Sequence, residues 1–461
     1  MKYRYIHICM ILGSLSGCLS TNNIDYENQA NEQTNIAIEQ LVKRTADKNS
    51  TLNTSSTSIN QLTDLVSVPE LTQYIEQALQ YNPSLQQSIV ALKIAYANQG
   101  LTRADLLPAV NSSFSGQRTQ DSDDIFNADI TVSWELDVWQ RLADTNAAAK
   151  ADILATEASL QTAKNLIVAN IMRGWLAINN DQQLLQIEKN RLDALQRTEE
   201  LILERYRSGL NTLDELDTAK TATAQTLATI ADYSEQVLQD IRSLLLLTGS
   251  WSQQPADVKI DSEFPRVLYP LESMAVQDLS GRPDLQQAFL DIKAEALRTD
   301  AAYKAMLPSF NLSASLTDMA ETPSEALFRN PIWSLLGDIS APLFQGGALK
   351  SQAEIAEFTT EQSYWVYQEA LLDAVNEVEN AIGQESALAA QQAHFNTALS
   401  SAERSMINSE QNYRQGLVDV FDLLTTQQLA FDAQTQLTST IYQRLLNRIE
   451  LGLALGIGVS S

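Results

Sequence analysis

Polar and apolar residues alternate in four short stretches of this chain and recur every seven residues in two long ones. In DITVSWELDV (129–138), Ile130, Val132, Trp134, Leu136 and Val138 point one way, and Asp129, Thr131, Ser133, Glu135 and Asp137 the other. A period of two predicts a strand with one apolar and one wet face. SFNLSASL (309–316) alternates through Phe310, Leu312, Ala314 and Leu316. WSLLGDISAPLF (333–344) does so through Trp333, Leu335, Ile339, Ala341 and Leu343, while VNSSFSG (110–116) is fainter. The period of seven runs through Ile153, Leu160 and Ile167, with Ala149, Thr156 and Ala163 beside them. It returns in Phe358, Trp365 and Leu372, followed by Val375, Ile382 and Ala389. Such a period predicts helices packed side by side with a supercoil. No proline falls between Pro108 and Pro255, or after Pro342. Leu142 to Ser208 can thus be one helix, roughly 100 Å long at about 1.5 Å per residue.

The pattern is written twice. NPSLQQSIVALKIAYANQGLTRADLLPAVNSSFS (82–115) aligns with RPDLQQAFLDIKAEALRTDAAYKAMLPSFNLSAS (282–315). Farther on, Leu142 pairs with Leu349, Gly209 with Gly416, and LLLLTG (244–249) with LGLALG (451–456), each at an offset of 207. Two halves in register over that distance imply internal duplication. Each reads as a helix, two short strands, a very long helix, a turn and another long helix.

The N-terminus adds a location. Lys2 and Arg4 precede an apolar run of signal-peptide length, IHICMILGSL. It ends in Leu15-Ser16-Gly17-Cys18, which resembles the bacterial lipobox; the resemblance implies cleavage before Cys18 and acylation of its thiol. Leu19 follows where inner-membrane retention usually places Asp, which favours the outer membrane. Cys9 lies in the segment to be removed, so no disulfide framework or thiolate metal site is expected. A net charge of −26 argues against nucleic acid as a partner. The expected division is a lipoprotein signal (1–17), a lipid-anchored polar tether (18–68), a first repeat (69–250), a linker (251–281), a second repeat (282–456) and a tail (457–461).

Beyond the signal, no run is apolar for the 18 or more residues that a spanning helix needs. A mature chain that crosses a membrane must do so with strands. Four strands cannot close a barrel, and a bilayer tolerates no open edge, so several chains would have to pool them. Trp134, Trp139 and Trp333 suit membrane–water interfaces.

The duplicated layout, RPDL at 282–285, the Leu-Pro before each first strand, APLFQGG at 341–347 and the paired YRxGL turns resemble the TolC-type outer membrane efflux factors. Because of Cys18 the resemblance is to their OprM-type lipoprotein branch, and it covers about residues 68–456. It implies a mainly α fold with a small β part: a trimer whose strands, four per chain, close an outer membrane β-barrel continued by a long α-helical periplasmic barrel. It also implies a periplasmic adaptor and an inner-membrane pump, often proton-driven and of the RND type, as partners. Gln140 departs from the family's glycine at the first strand-to-helix junction, whereas Gly346-Gly347 keep it. Gln287-Ala288 stand where the family has an Ala-Glu pair that carries its usual acidic residue after RPD.

YRSGLNTLDELD (206–217) and YRQGLVDVFDLL (413–424) mark the far ends of the rods. Gly209 and Gly416 can end a helix in the left-handed conformation. Thr212 with Glu215 has capping-box spacing, and Asp419 suits the N-cap of the last helix. The resemblance adds that Asp419 and Asp422 ring a narrow periplasmic gate, where crowded carboxylates attract cations and raise one another's pKa. Asp214, Glu215 and Asp217 are the first-half counterparts. Gly209-Leu210 and Gly416-Leu417 match the tip motif that meets the adaptor.

No catalytic constellation can be assembled: His394 is the sole histidine after the signal, and no phosphate-binding glycine loop is present. No enzyme activity, metal site or cofactor beyond the lipid on Cys18 is expected. The reading is a gated outer membrane duct for small molecules such as drugs or toxic compounds, exporting from a tripartite pump. A type I secretion duct for polypeptides and a pore-free periplasmic coiled-coil lipoprotein remain alternatives.

Overall fold

The computed structural model describes residues 24–46, 61–66, 68–249 and 281–459, with residues 254, 263–265 and 279. Cys18, the signal and nearly all of the linker 251–281 lie outside the described residues. The elements run α1 (Tyr26–Ala46), a 3-10 turn (Leu62–Leu65), α2 (Pro69–Tyr81), α3 (Pro83–Ala104), β1 (Ala109–Gln117), β2 (Ile125–Leu136), α4 (Arg141–Arg207) and α5 (Leu213–Leu247). The second half adds α6 (Pro283–Lys304), β3 (Ser309–Ala320), β4 (Ile332–Ser340), α7 (Ala348–Arg414) and α8 (Val420–Ala454). The duplication holds at the level of single residues. The bounds of α4 and α7, and of α5 and α8, differ by 207 at both ends.

The four strands form one antiparallel sheet in the order β1-β2-β3-β4. Its register puts Ile130 opposite Leu316 and Leu316 opposite Trp333, so the apolar residues of neighbouring strands share a face. Asp129, Ser113, Thr317, Thr131 and Ser315 meet on the other face. There Asp129 accepts hydrogen bonds from Thr131 and Thr317. Strand bounds depart from expectation at both ends. β2 begins at Ile125 and stops before Val138. β4 stops at Ser340, so Ala341 and Leu343 lie outside it; Pro342 has no N–H to continue a ladder. Trp134 and Trp139 donate to the carbonyls of Leu106 and Pro308, fastening the sheet to the helical part.

The strand-to-helix junctions explain one sequence departure. Gly347 precedes α7 at φ 88, and its counterpart Gln140 precedes α4 at φ 64, left-handed without being glycine. Asp137 compensates by accepting from the backbone N–H of Leu142 and Ala143 at 3.0 and 2.7 Å.

Below the sheet, α4 and α5 form one antiparallel hairpin and α7 and α8 another; α3 packs on α4, and α6 bridges α4 and α7. The two heptad runs have opposite fates. Ile153 and Ile167 are buried, while Phe358, Trp365 and Leu372 are 65, 60 and 69% exposed.

The tether reading needs correction over Tyr26–Ala46. This stretch is helical, and Ala30 and Leu41 are fully buried against Tyr364, Tyr367, Leu371 and Leu285. Ala30, Ala37 and Leu41 return to the packed face, and Thr34 between them hydrogen-bonds the Tyr367 hydroxyl across the packing. The tail is also held: Asn165 accepts from the backbone N–H of Val459, whose carbonyl takes a bond from Gln161. Among the described residues no helix is long and apolar enough to cross a membrane.

Candidate functional site

The two hairpin tips are built alike. After α4 the N–H of Leu210 bonds the carbonyl of Arg205 (2.8 Å) and that of Gly209 bonds Tyr206 (2.9 Å); after α7, Leu417 bonds Asn412 and Gly416 bonds Tyr413 (2.9 and 3.0 Å). This crossed pair requires a left-handed residue, and Gly209 and Gly416 supply it at φ 74 and 76. Both leucines stand exposed.

The next helices begin with different caps. Thr212 and Glu215 form the expected reciprocal box: Thr212 accepts from the Glu215 N–H at 3.3 Å and Glu215 accepts from the Thr212 N–H at 2.6 Å. Asp419 caps α8 alone, accepting from the Asp422 N–H at 2.9 Å. The Asp419 and Asp422 side chains are solvent-exposed. A groove of about 470 Å³ between α5 and α8 brings Asp214 and Asp217 to face Phe421 and Leu424, and Asp419 and Asp422 do not line it. Within one chain, therefore, the candidate gate residues are a cap and its neighbour, not a closed site.

Sequence reasoning missed what ties the tips together. Arg205 donates to the Asn211 side chain (2.9 Å) and to the Tyr413 carbonyl (3.3 Å), and its guanidinium lies 5.0 Å from the Tyr413 ring centre. Asn211 donates to the Tyr413 hydroxyl at 3.0 Å. Burial raises the Tyr413 pKa. Beneath this knot Ile202, Leu216, Ala219, Val420 and Leu423 form a small core shared by both hairpins. The only signal was the tyrosine of the repeated YRxGL, and the copies diverge: Tyr413 is 2% exposed and Tyr206 39%. Among the described residues no cluster of His, Cys, Asp and Glu could hold a metal ion, and His394 lies exposed on α7.

The family model described as outer membrane efflux protein matches residues 74–250 and 275–457, both repeats. The chain belongs to the outer membrane efflux protein family. The cation efflux system protein CusC of Escherichia coli O157:H7 is 26% identical over 392 residues, covering 83% of this chain and 85% of CusC. The pyoverdine export outer membrane protein OpmQ of Pseudomonas aeruginosa is 25% identical over 425 residues, 88% of this chain and 89% of its own length. The solved CmeC outer membrane channel of Campylobacter jejuni superposes with a TM-score of 0.82 at 18% identity, over 89% of this chain and 91% of that one, a likeness of fold. As an outer membrane efflux protein the chain is set apart from a pore-free periplasmic scaffold, and its relatives are channels rather than enzymes.

Proposed function

We propose that three copies of this chain form the exit duct of a tripartite efflux pump, passing small solutes from a periplasmic adaptor and an inner-membrane pump to the outside. The observation that carries this reading is the four-stranded sheet. It has one apolar face, and β1 and β4 each have a partner on one side only. A bilayer forbids such edges; three copies joined edge to edge close a barrel of about twelve strands. The duplication supplies the packing template. Within a chain α6 wedges between α4 and α7, whereas its counterpart α3 leaves Val90, Ile94 and Leu101 exposed and α7 leaves Phe358 and Trp365 exposed. A neighbour's α3 set against α7 covers both.

In this assembly Asp419 and Asp422 gather threefold around the tunnel's end as its gate. Gly209-Leu210 and Gly416-Leu417 are the adaptor contacts, Cys18 carries the lipid, and a proton-driven pump of the RND type supplies the energy. CusC is named for cations and OpmQ for pyoverdine, so we assign the choice of cargo to the pump upstream. Planar-bilayer recordings of the purified protein test the reading. A cation-preferring channel is expected, with the preference reduced when Asp419 and Asp422 are both changed to Ala. No conductance from either protein would sink it.

A further inference from the structure

The apolar face of the sheet is not open along its whole height. On β3, Phe310, Leu312, Ala314, Leu316 and Asp318 share that face, and Asp318 stands opposite Ala128 of β2. Burial there runs against the pattern of the residues. Asp318 is 4% exposed and Ala128 3%, whereas Met319, next along and on the wet face, is 64% exposed. What covers the outer end of the sheet therefore lies on its apolar side. The cover is the loop 321–331 between β3 and β4. The Asn330 N–H donates to the Asp318 carboxylate at 3.2 Å, and Ala326 in the middle of the loop is fully buried. A carboxylate turned toward lipid is costly unless protein surrounds it, which favours a loop folded outward.

The loop has a defined shape. Thr322 and Glu325 open a single helical turn: the N–H groups of Glu325 and Ala326 donate to the Thr322 carbonyl at 3.2 Å each, and the Thr322 hydroxyl donates to Glu325 at 2.9 Å. The turn buries Ala326 and leaves Leu327 62% exposed. Phe328 follows at φ 56, and Arg329 is exposed. Phe310, whose ring lies 6.3 Å from that of Trp139, marks the periplasmic margin of the sheet. From there to Asp318 the strand climbs roughly 20 Å along the barrel axis, at ~3.3 Å per residue and a tilt of ~40°. The apolar band of such a barrel is ~25 Å tall. The loop thus sits at the outer margin of the band, on the side that faces lipid.

We propose that loop 321–331 is a foot resting in the outer leaflet, with Leu327 at the acyl margin and the Arg329 guanidinium on a lipid headgroup phosphate. This rests on the three-copy duct proposed above, whose barrel puts the apolar face in the bilayer. The foot continues that face beyond its last strand residues. A leucine at the hydrocarbon edge gains by leaving water, and a guanidinium beside it presents a planar fork that fits phosphate oxygens. A loop folded toward the lumen would instead leave Asp318 facing lipid.

Site-directed labelling tests the proposal, because the mature chain has no cysteine besides the lipidated Cys18. Full-length Leu327→Cys, Leu335→Cys and Met319→Cys each receive an NBD fluorophore. They are reconstituted in vesicles of phosphatidylcholine and phosphatidylglycerol, with or without a nitroxide on the acyl chains. Leu335 lies on the apolar face of β4 and Met319 on the wet face of β3. The nitroxide is expected to quench the labels at 327 and 335 at least about twofold, and the label at 319 by less than about a fifth. Quenching at 335 without quenching at 327 overturns the foot and leaves the duct standing. No quenching at 335, or quenching at 319 as strong as at 335, overturns the bilayer barrel and the proposal with it. In the labelled Leu327→Cys chain, Arg329→Glu is expected to lose about half of the quenching; an unchanged value overturns the contact with phosphate.

Discussion

Halfway down the rods, the two hairpins solve one packing problem with opposite chemistry. The first places Ile178, Val237 and Ile241 between α4 and α5, all buried. At the same positions plus 207 the second places Glu385, Arg444 and Arg448. The Glu385 carboxylate accepts from Arg444 Nε and Nη2 at 2.9 and 2.7 Å and from Arg448 at 3.1 Å, while Arg444 also donates to Gln392 at 2.8 Å. Both arginines are almost fully buried. One turn along, the roles reverse: Asp181 and Asp240 adjoin in the first hairpin, Leu388 and Asn447 in the second. A duplicated backbone thus constrains where side chains meet and leaves open what meets there.

The largest effect is expected from breaking the charged layer. Glu385→Gln leaves two buried guanidinium groups without their carboxylate, and about 3–5 kcal/mol of stability should be lost. The triple variant Glu385→Ile, Arg444→Val, Arg448→Ile transplants the first hairpin's layer and should be neutral or stabilising by about 1–4 kcal/mol, since the desolvation cost disappears with the charges. Thermal midpoints of the purified protein compare the two. A triple variant as unstable as the single one would mean that the charges hold the hairpin's register.

A smaller contrast concerns the ends of α5 and α8. Asn82 donates to the Leu247 carbonyl at 2.8 Å, and Arg282, in the corresponding place, donates to that of Ala454 at 3.1 Å. Arg282 also pairs with Asp284 and Glu377, which accounts for the RPDL motif as a clamp on three helices. The glycines beyond differ in clearance. A Cβ on Gly249 meets the Tyr81 carbonyl oxygen at 2.4 Å, whereas one on Gly456 meets the Arg282 side chain at 3.2 Å. Both sit at positive φ. Gly249→Ala should cost about 3 kcal/mol and Gly456→Ala about 1 kcal/mol, from backbone strain plus overlap. Equal losses in thermal midpoint would show that the Asn82 junction gives way as easily as the Arg282 one.

The smallest effect is a pH dependence that the Asp181–Asp240 layer has in the first hairpin and lacks in the second, where Leu388 and Asn447 do not titrate. Burial, and then the Asp240 carboxyl beside it, push the Asp181 pKa up to about 6 from the ordinary 3.8. The folded chain holds this proton more tightly than the unfolded one, so the group destabilises the fold as pH rises from about 4 to 6, with no further change above. The group is only partly buried, and solvent screening limits the loss to about 1 kcal/mol. Asp181→Asn should remove this contribution and raise the midpoint at pH 7.5; an unchanged midpoint-versus-pH curve would show that water relieves the pair.

Much of this was legible in the residues. Alternation located all four strands, the rod expected over Leu142–Ser208 is found at Arg141–Arg207 with its copy 207 residues on, and the turn glycines and caps were read correctly. Those features are local: backbone sterics, capping and the period of a face depend on near neighbours. The candidate gate was legible only as a cap, because a ring of carboxylates is a property of an assembly. The knot of Arg205, Asn211 and Tyr413 joins residues about 200 positions apart, and no local pattern distinguishes Tyr413 from Tyr206. The helix α1 was hidden by its polar composition, since its packing surface belongs to α6 and α7.

By itself the sequence determined the duplication, the two-faced strands, the lengths of the rods and the sites of their reversal. Tertiary structure alone decided which of the two heptad runs is buried and which is left exposed, which tyrosine locks the tips and which buried layer carries charge. Periodicity says which residues share a face; what covers that face depends on elements hundreds of residues away, and there the two halves part.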